Sequence, residues 1–322
     1  MNGTSTKGWA VIKNPTSGFR FMNKSWVKTA DRMRDDGIEF ELFLTEYAGH
    51  AIELTRKLLN DGYRRLLVVG GDGTLNEVVN GIMTSTACES TEVILALLPH
   101  GTGNDWGRYW DMRRGKTNIS RIIKEGRVVT VDVGLLVFQG AKGIYSRYFI
   151  NGLGFGLDAK VCYYTNLMKD KVGGHHWLYT VALLLSIFTH RIRRCTISDS
   201  KGKRVDVPLF TAAIGNACYS GGGLKQTDGN PTDGVMFATI TGKLTFLNIF
   251  AGLKALFAKR LWEAPFCTPF ITERLHVKTG RSLLFELDGV MVDAREITRQ
   301  TGREITEYDI EMKPRKIRML VP

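Results

Sequence analysis

The segment Leu66–Gly81, LLVVGGDGTLNEVVNG, leaves this chain few folds to choose from. A short apolar run ends in Gly70, Gly71 and Gly73 around Asp72, and a helical pattern starts at once. Leu75, Val78, Val79, Ile82 and Met83 recur at the i, i+3, i+4, i+7, i+8 spacing of a buried helix face. The unit therefore reads strand, tight glycine turn, helix. Glycines let the backbone take positive φ and let a ligand come close to the main chain. The N–H groups of such a turn, and of the helix behind it, favour an anion, typically phosphate. Asp72 does not suit simple anion binding, because a bare carboxylate repels phosphate. It suits a divalent metal, or acceptance of a proton or a hydroxyl. The segment reads as a nucleotide phosphate site with chemistry beside it.

Two further loops point the same way. Val93–Leu98 is an apolar run ending in Pro99-His100-Gly101-Thr102-Gly103-Asn104-Asp105, and Trp9–Lys13 runs into Asn14-Pro15-Thr16-Ser17-Gly18. In open α/β sheets, ligands bind just outside the carboxyl ends of the strands. From Trp9 to about Lys124, strands near Trp9–Lys13, Glu39–Leu44, Leu66–Val69 and Val93–Leu98 alternate with helices near Lys24–Arg34, His50–Leu59 and Leu75–Met83. That alternation argues a parallel, helix-flanked sheet. After Arg127 the texture becomes strand-rich, in runs such as Val128–Val137, Tyr145–Ile150, Val207–Ile214 and Leu283–Leu287, with helices near Trp177–Phe188 and Phe246–Phe257. The expectation is an α/β domain over 1–126 and a β-sandwich-like domain over 127–316 packed across a cleft. The apolar end, 317–322, is expected to return to the first domain.

NPTSG, GGDGTLNEVVNG and LP-x-GTGND, in this order, resemble the diacylglycerol-kinase-like lipid kinases. That family includes bacterial soluble diacylglycerol kinases, phosphatidylglycerol-kinase-like proteins, and sphingosine and ceramide kinases. Asn151–Asp158, Gly221-Gly222-Gly223 followed by Asp233-Gly234, and Asp288-Gly289 resemble later motifs of the family, so the resemblance spans nearly the whole chain. It implies the NAD-kinase/diacylglycerol-kinase-like fold and an ATP- and Mg²⁺-dependent transfer to a lipid hydroxyl. Nucleotide contacts are then expected from Asn14, Pro15, Thr16, Ser17 and Gly18, from Gly71, Asp72, Gly73, Thr74, Leu75, Asn76 and Glu77, and from Thr45 and Thr102. Asp72 is the first candidate to hold Mg²⁺ on the phosphates. A structural Mg²⁺ is implied at Asp233 with the main-chain carbonyls of Asn230 and Val235. Asp288 is the carboxylate expected to take the acceptor's proton.

The chain departs from the family at that last point. The family motif is Asp-Gly-Glu, with its glutamate often assigned as the proton acceptor, whereas here Val290 follows Asp288 and Gly289. Valine accepts no proton. Either Asp288 serves alone, Asp72 takes the role, or the chain is a non-catalytic lipid- or nucleotide-binding relative. An NAD kinase shares GGDGT and is the other alternative, although LP-x-GTGND is not expected there.

The net charge of +12 favours anionic partners. Cations gather at Arg191, Arg193 and Arg194, at Lys201, Lys203 and Arg204, and at Lys313, Arg315, Lys316 and Arg318. No zinc finger, RNP-type aromatic motif or basic zipper accompanies them, which leaves an anionic membrane surface as the expected partner and excludes nucleic acid. A homodimer is possible. The five cysteines show no CxxC spacing, so neither a zinc site nor a disulfide framework is expected, and a reducing cytosol is the natural compartment. No apolar run reaches the roughly 18 residues that span a bilayer. Trp177–Phe188 is expected to be a buried or interfacial helix.

Overall fold

The computed structural model describes residues 7–17, 22–140, 143–172, 177–292 and 304–322. The chain forms two compact units, Met1–Val131 with Arg315–Pro322, and Asp132–Pro314. The division falls inside a strand at each crossing rather than at Gly126, so the units are joined by β-structure and not by a linker.

In the first unit, β1 (Trp9–Lys13), α1 (Met22–Asp35), β2 (Phe40–Leu44), α2 (His50–Asn60), β3 (Arg65–Gly70), α3 (Asp72–Met83) and β4 (Ile94–Pro99) alternate along the chain. Two short helices follow, α4 (Asp105–Tyr109) and α5 (Ile119–Glu125). The strands lie in the order β2-β1-β3-β4, every pair parallel. Every residue of β1, and all but the first of β3 and β4, is buried, as a parallel sheet covered on both faces requires. The helical period in the sequence has its cause in α3, where Leu75, Val78, Val79 and Ile82 are at most 2% exposed. The chain leaves β1 toward β2 on one side and later enters β3 on the other. The carboxyl ends of β1 and β3 therefore flank a topological switch point, where open α/β sheets bind ligands.

The strand β5 (Arg127–Gly140) leads into the second unit. There follow β6 (Gly143–Phe149), β7 (Gly152–Gly156), α6 (Leu157–Val172), α7 (Trp177–Thr189), β8 (Arg193–Asp199), β9 (Arg204–Leu209), β10 (Thr211–Gly215), β11 (Tyr219–Ser220) and β12 (Leu224–Lys225). The unit continues with β13 (Met236–Thr241), α8 (Phe246–Phe257), β14 (Cys267–Thr272), β15 (Arg274–Thr279), β16 (Phe285–Leu287), β17 (Val290–Val292) and β18 (Glu307–Val321). One antiparallel sheet runs β14-β13-β10-β7-β16-β17. A second layer contains β18-β15-β8-β9 and the β5–β6 hairpin. Leu136, Phe155, Ile197, Ile214, Phe285 and Tyr308, from both layers, share one buried core, which makes this unit a sandwich.

Two sequence expectations need correcting. Val207–Ile214 is not one strand: it breaks at Phe210, with β9 in one layer and β10 in the other. The two halves differ in burial: β9 alternates, whereas every residue of β10 is buried. Residues 157–172 form a helix, α6, that the glycine-rich reading of Asn151–Asp158 did not extend into. The final strand ends in the first unit, where Arg318 and Met319 pair in parallel with Ile94 and Leu95 of β4.

Candidate active site

In the first unit the three small-residue loops meet. Asn14 donates its side-chain amide to the Thr74 hydroxyl at 3.2 Å, joining the loop after β1 to the start of α3. The Asn14 side-chain oxygen accepts from the Thr16 N–H and hydroxyl, at 2.9 and 2.8 Å, and Ser17 closes the turn on the Asn14 carbonyl. Gly18 lies outside the described residues. Pro15 and Thr16 are exposed, Thr45 is buried at the end of β2 with its N–H on the Lys13 carbonyl, and Thr102 is half-buried.

The loops after β3 and β4 touch backbone to backbone. A Cβ on Gly71 would stand 2.9 Å from the Gly101 Cα, and one on Gly101 would stand 2.5 Å from the Gly71 Cα. Contact at that distance, not positive φ, is why glycine stands there: none of Gly70, Gly71 and Gly73 has positive φ, and Gly71 is extended at −98°. The left-handed residue is Asn104, at φ 51°. Its side chain bridges the Gly101 N–H and carbonyl at 2.8 and 2.7 Å and fixes the second loop. Asp72 then ties the pair together, accepting from the N–H groups of Asp105 and Trp106 at 3.1 and 3.2 Å. It remains half-buried.

Not every residue of GGDGTLNE faces this loop. The Leu75 side chain is in the core, and its N–H makes the first bond of α3, to the Gly71 carbonyl. The N–H groups of Gly73 and Thr74 precede that bond and are the ones helix geometry presents to an anion. The side chain of Asn76 meets that of Asn80 instead. Glu77 turns away: its two carboxylate oxygens accept from the N–H groups of Gly49 and Ala51, at 2.9 and 3.1 Å, capping α2. A nucleotide contact by the Glu77 side chain is therefore corrected to a structural role. Its cause is 28 residues away in sequence and could not be read locally.

Two cations beside the loops escaped the sequence reading. Lys13 is buried at the end of β1, and burial holds its amine below the ordinary lysine range. Arg114 donates to the Gly101 carbonyl at 3.2 Å.

In the second unit, Asp288 and Gly289 are the two-residue turn between β16 and β17, with φ of 50° and 78°. Asp-Gly between apolar runs is the sequence signal of such a hairpin. The Asp288 carboxylate is 3% exposed and accepts from the N–H groups of Ile150, Asn151 and Gly152, each at 2.9 Å. Three donors and near-complete burial suit an anchor that pins the 150–152 turn. They oppose the proton-accepting role expected from the motif. Val290 is 40% exposed.

Asp158, in the first turn of α6, is partly exposed, and desolvation pushes it up to about 6 against hydrogen bonds from Thr211 and Gln226. Glu286 approaches it: a Cβ on Gly154 would lie 2.7 Å from the Asp158 Cβ and 2.8 Å from a Glu286 carboxylate oxygen. The signal was in the chain, as an aspartate closing a glycine-rich strand.

At the expected cation segment, Asp233 takes the Val235 N–H at 3.1 Å, and Asn230 folds onto Thr232. Buried Asp132 was not foreseen there. It accepts from the Gly234 N–H at 2.7 Å, and its charge adds to the burial that raises the Asp233 carboxyl. Two carboxylates with carbonyls nearby are the donor chemistry of a hard cation. Among the described residues no group of three or more His, Cys, Asp or Glu side chains gathers at one point.

Residues 8–136 match the model of the diacylglycerol kinase catalytic domain. The chain is 35% identical over 164 residues to the diacylglycerol kinase of Staphylococcus carnosus (strain TM300), covering 51% of this chain and 50% of that one. It is 29% identical over 261 residues to YtlR of Bacillus subtilis (strain 168), which carries the name of a lipid kinase, covering 74% and 79%. Over residues 8–136 this chain is similar to the diacylglycerol kinase catalytic domain, and over a longer span to a lipid kinase relative. A crystal structure of a diacylglycerol kinase from Bacillus anthracis str. Sterne, 18% identical, shares the fold with a TM-score of 0.70 over 99% of this chain and 98% of that one. The match to the staphylococcal relative spans about half of that protein's length. The family's catalytic domain holds Asn14, Asp72, Thr102 and Asp132, whereas Asp158, Asp233 and Asp288 lie beyond it.

Proposed function

We propose that this protein is an ATP- and Mg²⁺-dependent kinase that transfers the γ-phosphate to the hydroxyl of a diacylglycerol, sphingoid-base or phosphatidylglycerol-class lipid, working in the cytoplasm at an anionic membrane surface. The observation that carries the reading is the Gly71–Gly101 contact, because it sets two glycine loops and the start of α3 around one carboxylate, Asp72, at the switch point. Phosphoryl transfer is mainly positioning and charge neutralisation. The N–H groups of Gly73 and Thr74 and the hydroxyls of Thr16, Ser17, Thr45 and Thr102 hold the phosphates, and Lys13 and Arg114 offset their charge. Asp72 would hold Mg²⁺, which would supply charge neutralisation at the phosphates. Asp233, with Asp132 and the carbonyls of Asn230 and Val235, would hold a second, structural ion.

The acceptor hydroxyl is a weak nucleophile until its proton is taken. Asp158 takes that proton. Its raised pKa keeps it a base above about pH 6. The lipid oxygen bonds to the γ-phosphorus, the bond from that phosphorus to the β,γ-bridging oxygen breaks, and ADP leaves. Arg191, Arg193 and Arg194 draw the protein to anionic headgroups.

The test is ATP consumption, with radiolabel transfer, against a panel of the three lipid classes and NAD. Transfer to a lipid alone supports the reading. Transfer to NAD replaces it with the NAD kinase alternative, and ATP binding without transfer makes the chain a non-catalytic relative.

A further inference from the structure

A second, smaller core lies in the second unit, apart from that of the sandwich. In it Leu157 of α6, Leu183 and Ile187 of α7, and Leu253 and Leu256 of α8 pack around Phe210. A helix that buries one stripe ordinarily turns polar residues outward. These two helices do not. On α7, Leu184, Leu185 and Phe188 are 47%, 43% and 83% exposed, and on α8, Leu247, Phe250 and Phe257 are 77%, 56% and 58% exposed. On each helix the three share one side by their spacing.

The sequence around these stripes is rich in cations. No Asp or Glu occurs between Trp177 and Ser198, and none between Gly234 and Trp262. Exposed Arg191 and Arg194 follow α7, and exposed Lys243, Lys259 and Arg260 bracket α8, with Lys254 on its outer side. Glu263 faces Arg260 at 3.8 Å, and the other exposed charges named here are cations. An apolar stripe rimmed mainly by cations matches acyl chains beneath anionic headgroups. At 13 and 12 residues the helices are too short to cross a bilayer, so such a contact lies in its interface.

We propose that α7 and α8 insert into the headgroup–acyl boundary of an anionic bilayer, with Phe188, Leu247 and Phe257 entering the acyl layer. The inference rests on the lipid-acceptor reading for the identity of the surface. It goes beyond that reading in giving the lasting contact to apolar helix faces rather than to the arginines.

The experiment is sedimentation with phosphatidylcholine vesicles, with and without phosphatidylglycerol, at low and high salt. The wild-type chain binds anionic vesicles and keeps a bound fraction at salt that screens exposed cations. In Phe188→Ser/Leu247→Ser that salt-resistant partition falls roughly ten- to a hundredfold, the range for losing one or two buried large apolar side chains. Its melting temperature and its turnover of a detergent-dispersed short-chain lipid stay unchanged. Equal salt-resistant binding by the variant, no vesicle binding by wild type, or a dimer that the variant splits in gel filtration would each overturn the proposal. If the substitutions abolish binding but the wild-type chain phosphorylates no lipid, the bilayer contact stands and the kinase reading falls.

Discussion

Asp72 and Asp288 follow or precede glycine in family motifs, and both carboxylates accept main-chain N–H groups, yet they are different kinds of residue. Asp72, in the first unit, takes two N–H groups from α4 and stays half-buried. Asp288, in the second, takes three and is 3% exposed. Hydrogen bonding therefore does not separate a chemical carboxylate from a structural one. What separates them is burial: Asp72 stays half-open to solvent and Asp288 does not. On the proposed reading, the nucleotide side of this chain keeps its motif chemistry and the acceptor side uses Asp158 rather than the hairpin turn.

The sharpest way to break the comparison is to spoil the loop contact on the nucleotide side. Gly101→Ala forces a methyl to within 2.5 Å of the Gly71 Cα, so the two loops must part. We expect ATP binding, followed by calorimetry, to be lost, with a stability cost of about 1–3 kcal/mol. Intact ATP affinity would detach the glycine contact from phosphate binding.

Asp72→Asn and Asp158→Asn should each lower kcat by roughly 10²–10⁴, but their stabilities should move in opposite directions. Asp72→Asn puts an amide where two N–H groups need an acceptor, which costs about 1–3 kcal/mol. The Asp158 carboxyl titrates near 6 in the fold, above its ordinary value of 3.8, so folding favours its protonated form. Its stabilising contribution is complete below about pH 4 and is lost as pH rises through about 6. The always-neutral Asp158→Asn should thus melt higher than wild type at pH 7.5, by up to about 3 kcal/mol, and match it near pH 4. The same titration gives wild-type kcat an acid limb near pH 6. A flat kcat from pH 5 to 7.5 would remove Asp158 from the reaction.

Smaller effects test the periphery. Replacing Arg191, Arg193 and Arg194 with alanine should weaken binding to anionic vesicles by about two orders of magnitude at low salt, near 1 kcal/mol per cation. Smallest of all, Asp288→Asn should lower the melting temperature while kcat of the folded protein stays within about tenfold, and Val290→Glu should change kcat less still. A drop of 10² or more in Asp288→Asn, rescued by Val290→Glu, would return the proton to the hairpin and sink the distinction drawn between Asp72 and Asp288.

What the sequence made legible was local. Period and turn chemistry placed β3, α3 and the loops after β1 and β4, because the residues that define them are neighbours in the chain. The Asp288-Gly289 hairpin was equally local, although its motif resemblance drew attention to catalysis first. What stayed hidden needed contacts between distant residues: Glu77 reaching Gly49 and Ala51, Asp132 reaching Gly234, and three amides near residue 151 closing on Asp288. The break at Phe210 was hidden because the apolar run continues through it, although β9 and β10 lie in different layers.

The meeting of Gly71 and Gly101 has a consequence for inheritance. Most damaging substitutions in a packed interior can be compensated by trimming the neighbour they strike. Here the neighbour is already the smallest residue there is, so a side chain gained on either loop has no suppressor on the other. Reversion is the only local repair. A lineage that has lost one of these glycines and still folds should have rebuilt the path of a whole loop, and its descendants would be recognised by a change in loop length, not by a second substitution.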